Sequence, residues 1–216
     1  MAQPRPNIYG FPHKGLRNGL GKLAFKLGAT NVNNQAEVDE VAELAEELSV
    51  LLQLHLNAEE DYVLPPLEAK IPGSTSHNHE DHEEMERLEH EMMDAIRAMK
   101  SAPSIPALNA AYDKVNLFIR EYYRHMSEEE GDMNKIIWEN FSDEEILGWQ
   151  GQILSKLTPE QFFSWFKYII PSLQPHEQAI MLGGFKMNAP QEAYKGTIEG
   201  LKPFVTDAQF AHISSL

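Results

Sequence analysis

Two short strings, His55-Leu56-Asn57-Ala58-Glu59 and His125-Met126-Ser127-Glu128-Glu129, each set an imidazole and a carboxylate four positions apart. On a helix, positions i and i+4 project from one face, so each pair addresses a single space. Both pairs continue apolar stripes that step by three or four residues. Val41, Leu44, Leu48 and Leu51 lead to His55, and Val115, Phe118 and Tyr122 lead to His125. Two other stripes carry one histidine each: His13 with Leu16, Leu20, Leu23 and Leu27, and His82 with Met85, Leu88, Met92, Ile96 and Met99. A glutamate on a core stripe must shed its water, which is costly unless it is paired or bound to a metal. Six such donors on four helices point to a di-metal site in the core of a bundle, where carboxylates bridge the ions and imidazoles complete each shell.

Each piece alone says little. A single histidine on an apolar face is more often a hydrogen-bonded core residue, and a lone His-x-x-x-Glu is common on helix surfaces. The weight lies in the joint occurrence of four aligned histidines and two matched carboxylates. The chain has no cysteine, which removes thiolate zinc sites, cysteine-ligated clusters, disulfides and a cysteine nucleophile together. Imidazole and carboxylate donors suit iron, with manganese or zinc as substitutes.

The elements that position these residues are helical. The first segment runs from about His13 to Leu27, and the second from Gln35 to about Tyr62, where Pro65 and Pro66 are expected to stop it. The third follows the loop Ile71 to Ser76 and continues to about Lys100, and the fourth runs from about Ala107 to Gly131. Short connections between long helices imply antiparallel neighbours. The expected fold is therefore all-α, an up-down-up-down four-helix bundle over residues 1–141 with a C-terminal helical extension over 142–216. In the extension, Ser142 with Glu145, Thr158 with Gln161 and Thr206 with Gln209 fit the capping box, and aromatics such as Phe162, Phe163, Trp165 and Phe166 are frequent. These aromatic helices are the place where a protein partner would dock.

The chain has 18 Lys and Arg against 33 Asp and Glu, a formal net charge of −15. Such a surface repels phosphate backbones and anionic lipid, so neither nucleic acid nor membrane is expected as a partner. No stretch is apolar enough to span a bilayer, and Met1 to Pro12 lacks the apolar run of a leader, which reads as a cytoplasmic protein. No nucleophile elbow, Walker motif or His-Glu-x-x-His helix is present, so hydrolysis is not expected.

The motifs His13-Lys14-Gly15-Leu16, His55 to Glu60 followed by Leu64-Pro65, His82-Glu83-Glu84-Met85 and His125 to Glu130 resemble those of the hemerythrin-like, or HHE cation-binding, family over about residues 13 to 138. The resemblance implies two non-haem irons with an oxo or hydroxo bridge. His13, His55, His82 and His125 would be terminal ligands, and Glu59 and Glu129 the bridging carboxylates. The oxygen-carrying members have a second histidine one turn on in the third helix, where this chain has Glu86. They also have an aspartate five residues after the last histidine, where this chain offers Glu129 at four and Glu130 at five. Glu86 is therefore a candidate ligand, and Glu130 an alternative to it. More carboxylate and less imidazole favours ferric iron. It moves the expected function from reversible oxygen carriage toward sensing of, or reaction with, dioxygen, nitric oxide or peroxide. In the third helix His79 rivals His82, with His77 and His90 nearby; His82 alone continues the stripe of Met85, Leu88 and Met92. Tyr62, Tyr122 and Tyr123 are candidate hydrogen-bond donors around the metal. His176 and His212 have no carboxylate at ligand spacing and read as surface or cap residues.

Overall fold

The computed structural model describes residues 5–216, and no strand occurs among them. Met1 to Pro4, part of the stretch read as lacking a leader, lie outside the described residues. The first two thirds comprise α1 (Gly10–Ala29), α2 (Gln35–Ala58), α3 (Leu64–Lys70), α4 (Ser76–Ser101), α5 (Ile105–Glu128) and α6 (Asn134–Asn140). Asn7 starts α1: its side-chain oxygen accepts from the backbone N–H groups of Tyr9 and Gly10, each at 3.0 Å. Asn34 and Ser104 cap α2 and α5 by accepting from Ala36 and Ala107, satisfying N–H groups that the helix itself cannot.

Helices α1, α2, α4 and α5 form the bundle, with α1 packed on α2 and α5, and α4 on the same two. The apolar stripes turn inward: Leu16, Leu20, Leu23, Leu27, Val41, Leu48, Met85, Met92, Ile96, Val115 and Phe118 are all buried. Each large apolar side chain so buried contributes about 1.5–3 kcal/mol.

The second and fourth helices do not stop where expected. Each passes through one π-helical turn, Glu59–Val63 after α2 and Glu129–Met133 after α5, and resumes as α3 and α6. Pro65 and Pro66 fall within the first turn of α3, where a missing N–H breaks no intrahelical bond. The wide turn begins at the core glutamate in both cases, and such turns cluster at functional sites.

The extension consists of α7 (Asp143–Lys156), α8 (Pro159–Ser172), α9 (Pro175–Asn188), α10 (Gln191–Leu201) and α11 (Asp207–Ser214). The three expected capping boxes start α7, α8 and α11. Helix α8 lies along α1, and Gly15 lets it approach: a Cβ there would meet Ile169 Cγ1 at 2.7 Å. Trp165, Phe166, Ile169 and Ile170 thereby share one apolar core with the bundle. A second cluster, with Tyr9, Val63, Leu64, Leu67, Met133, Ile137, Phe141, Ile146 and Trp149, lies beyond the π-turns and joins α7 to the bundle.

Candidate metal centre

Four histidines and two glutamates converge at the level where the π-turns begin. His13, His55, Glu59 and Glu129 form one group of donor atoms within 4.8 Å of one another, and Glu59, His82, His125 and Glu129 form a second. Glu59 Oε1 lies 3.2 Å from His55 Nε2 and its Oε2 lies 3.2 Å from His82 Nε2. Glu129 Oε2 lies 3.4 Å from His13 Nε2, and its Oε1 lies 3.2 Å from His125 Nε2 and 3.9 Å from His82 Nε2. Each carboxylate therefore turns one oxygen toward each group. His13 Nε2 and His55 Nε2 face each other at 3.0 Å.

These groups are buried and under-satisfied. His13, Glu59 and Glu129 are 0%, 3% and 1% exposed. Both oxygens of Glu59, both of Glu129 and Nε2 of His82 have no hydrogen-bond partner. Buried polar groups are nearly always partnered, so five orphaned donor atoms at one place fit a cation that completes them.

Residues 11–137 match the family model of the hemerythrin HHE cation-binding domain. This chain belongs to that family. No curated protein and no solved structure compared with the chain matches it. As an HHE domain with a buried His and Glu cluster, it is a metal-binding protein.

Outside the donor atoms, the HHE domain carries a layer that fixes the imidazoles. Glu60 Oε1 lies 2.6 Å from His82 Nδ1, and Glu130 Oε1 lies 2.9 Å from His13 Nδ1. Arg17 donates to both oxygens of Glu130, at 2.5 and 3.1 Å. Asp81, held by two bonds from Arg124, lies 3.5 Å from His125 Nδ1. Carboxylates behind metal-binding histidines set the tautomer and ring orientation. His55 has Trp165 of α8 instead, with ring centroids 6.4 Å apart and edge-on.

The electrostatics follow this layer. Burial lowers His13, but Glu129 and Glu130 outweigh it and hold the imidazole at about 9. Burial is likewise outweighed at His82 by Glu129 and Glu59, which raise it to about 11. Burial and the neighbouring His13 keep His55 well below the usual range. Burial also lowers His125, against the pull of Glu129. Burial and the charge of Glu129 push Glu59 up to about 8. Glu129 feels the same burial, but the neighbouring imidazoles of His13, His82 and His125 hold it well below the carboxylate range. Without metal, protons on these groups neutralise the carboxylates.

Several residues singled out from the sequence lie outside the two groups. Glu86 is half-buried and lines a cavity of about 10 Å³ beside the cluster, together with Met85, Glu89, Phe118 and Tyr122. Glu130 lies against His13 Nδ1. His79 is exposed and 3.0 Å from Glu60, and His90 is exposed. Exposed His77 lies 3.2 Å from Glu128, where Arg124 already supplies a cation to Glu128 and Asp81. Of the tyrosines, Tyr122 is buried with its ring 5.9 Å from that of His125. Tyr123 donates to Arg17 O at 3.1 Å, and Tyr62 is half-buried. His176 is exposed, and His212 Nε2 lies 3.0 Å from Pro175 O. Sequence reasoning missed Glu60 and Asp81. For Glu60 the available signal was the repeat of His55, Glu59 and Glu60 as His125, Glu129 and Glu130.

Proposed function

We propose that this HHE domain holds two non-haem iron ions, with Glu59 and Glu129 shared between them. His13 and His55 would complete one shell, and His82 and His125 the other. The pair would bind, sense or react with dioxygen or a related small ligand such as nitric oxide or peroxide. The observation that carries the reading is the division of each glutamate, one oxygen toward each pair of histidines.

Bound iron would supply one-electron redox chemistry and a coordination position open to a small ligand. The chain's own residues account for the rest. Leu52, Met85 and Phe118 line the adjoining cavity, whose volume of about 10 Å³ suits about one water-sized molecule. Glu60, Glu130 and Asp81 orient His82, His13 and His125. The centre would offer iron more carboxylate per histidine than an oxygen carrier of this family does, which would favour the ferric state and supports reaction or sensing over reversible carriage. The test is anaerobic loading with ferrous iron, followed by exposure to dioxygen and, separately, nitric oxide. A change in the visible spectrum with either gas is expected; a loaded protein that responds to neither contradicts the reading.

A second reading has one observation in its favour. Trp165 of the extension stands edge-on to His55, so metal loading would be felt by α8, and the extension would serve a regulatory role. In that case loading changes the stability or binding properties of the extension without any ligand chemistry.

A further inference from the structure

Tyr9 is 1% exposed, and its hydroxyl is buried with no hydrogen-bond partner. A phenol in a core normally finds a partner for its O–H, and this one has been placed with care. Asn7 fixes the backbone at Tyr9 and Gly10, and the first turn of α1 then brings His13 N–H to Tyr9 O at 3.0 Å. The Tyr9 ring packs 5.3 Å from the His13 imidazole. Tyr9 shares an apolar cluster with Val63 and Leu64 from the first π-turn and its exit, and with Met133 from the second. Those residues sit four or five positions after Glu59 and Glu129 in equivalent turns. Tyr9 therefore lies where the two halves of the bundle meet, beyond the two shared carboxylates. The orphaned polar atoms of this region are the Glu59 and Glu129 oxygens, His82 Nε2, Tyr9 Oη and Asn134 Oδ1. The charges that act most on the Tyr9 phenol, after burial, are those of Glu129 and Glu59.

We propose that Tyr9 is a hydrogen-bonding residue of the metal centre, its phenol O–H donating to the oxygen ligands gathered between Glu59 and Glu129 when the ions are in place. This rests on the di-metal reading. Its ring belongs to an apolar cluster, and no atom of the described chain accepts from its O–H. Tyr9 touches neither the cavity beside Phe118 nor solvent. Its role is to position and polarise oxygen ligands of the centre, as a donor and not as a ligand of the metal.

The test compares the full chain with Tyr9→Phe, which keeps the ring and removes the O–H. Thermal unfolding is followed with and without ferrous iron, together with iron release to a chelator and the visible spectrum of the oxidised, loaded protein. Without iron the variant melts at or above the wild type, because a buried unpartnered hydroxyl has been removed. With iron the wild type gains more than the variant, and the variant gives up its iron about tenfold faster. An equal gain and equal release in the two proteins overturns the role of Tyr9 while leaving the centre intact. A phenolate-to-iron band in the wild type that vanishes in Tyr9→Phe also overturns it, since Tyr9 would then be a ligand. A wild type that gains nothing from iron or any other divalent ion overturns the di-metal reading and the role of Tyr9 with it.

Discussion

The Glu60 carboxylate lies 2.6 Å from Nδ1 of His82, although the two residues belong to opposite halves of the bundle. Glu60 follows α2, and His82 is on α4. Glu130, which follows α5, repeats the relationship with His13 of α1 at 2.9 Å. Each half thus supplies a buried glutamate to the centre and, one residue later, a second glutamate that orients a histidine of the other half.

Glu60→Gln and Glu130→Gln should each weaken metal binding by about tenfold while leaving the helical content unchanged. The neutral amide keeps the shape but no longer draws the Nδ1 proton. Competition against a chelator of known affinity checks the first part, and circular dichroism the second. Affinity equal to that of the wild type would mean the outer carboxylates only tie helices together.

Substitutions at the shared and unshared positions should differ in kind. Glu129→Gln should lose both ions under conditions that saturate the wild type, whereas His125→Ala should keep the ion held by His13 and His55. The metal-to-protein ratio after desalting distinguishes them. Equal losses from the two variants would argue against a carboxylate shared by both ions.

The pH dependence has opposite signs with and without metal. His13 at about 9 and His82 at about 11 are raised above their unfolded value near 6.5. The stability they contribute without metal is full below about 6.5 and is lost as pH rises through 9 and then 11. Glu59, raised to about 8, also binds its proton more tightly in the folded chain. Ions must displace these protons, so the stabilisation by metal should grow as pH rises from about 6.5 to 9. Loading at pH 7 should release protons, which calorimetry in buffers of different ionisation enthalpy will count.

Gly15→Ala tests the seam between bundle and extension. Alanine gains about 1 kcal/mol of helix propensity, but its Cβ would press on Ile169 Cγ1 at 2.7 Å and approach the Ile169 backbone nitrogen at 3.3 Å. Overpacking of that kind costs about 1–3 kcal/mol, and a net loss of roughly 1 kcal/mol is expected in chemical denaturation. A variant as stable as the wild type would show that α8 moves away from α1 freely.

Much of this was legible in the sequence because helices repeat every three or four residues. His13, His55, Glu59, His82, His125 and Glu129 could be set on inward faces by counting along stripes that also fix Leu20, Leu48, Met92 and Val115. The π-turns were not legible: Glu59–Val63 and Glu129–Met133 keep helical composition, and nothing in their residue types demands an extra residue per turn. Glu60 and Asp81 were read past because one residue beside a core position normally faces away, and their partners lie on other helices. Tyr9 precedes the periodic part of α1, so no stripe included it. The approach of α8 to Gly15 depends on tertiary packing that local pattern does not encode.

The most direct test of the account is the metal content of the purified, iron-reconstituted chain, read together with its visible spectrum. The account predicts about two irons per chain and, after oxidation, an oxo-to-iron charge-transfer absorption that the Glu129→Gln variant lacks. A single ion per chain, or iron that binds without that absorption, would contradict a di-iron centre shared by Glu59 and Glu129.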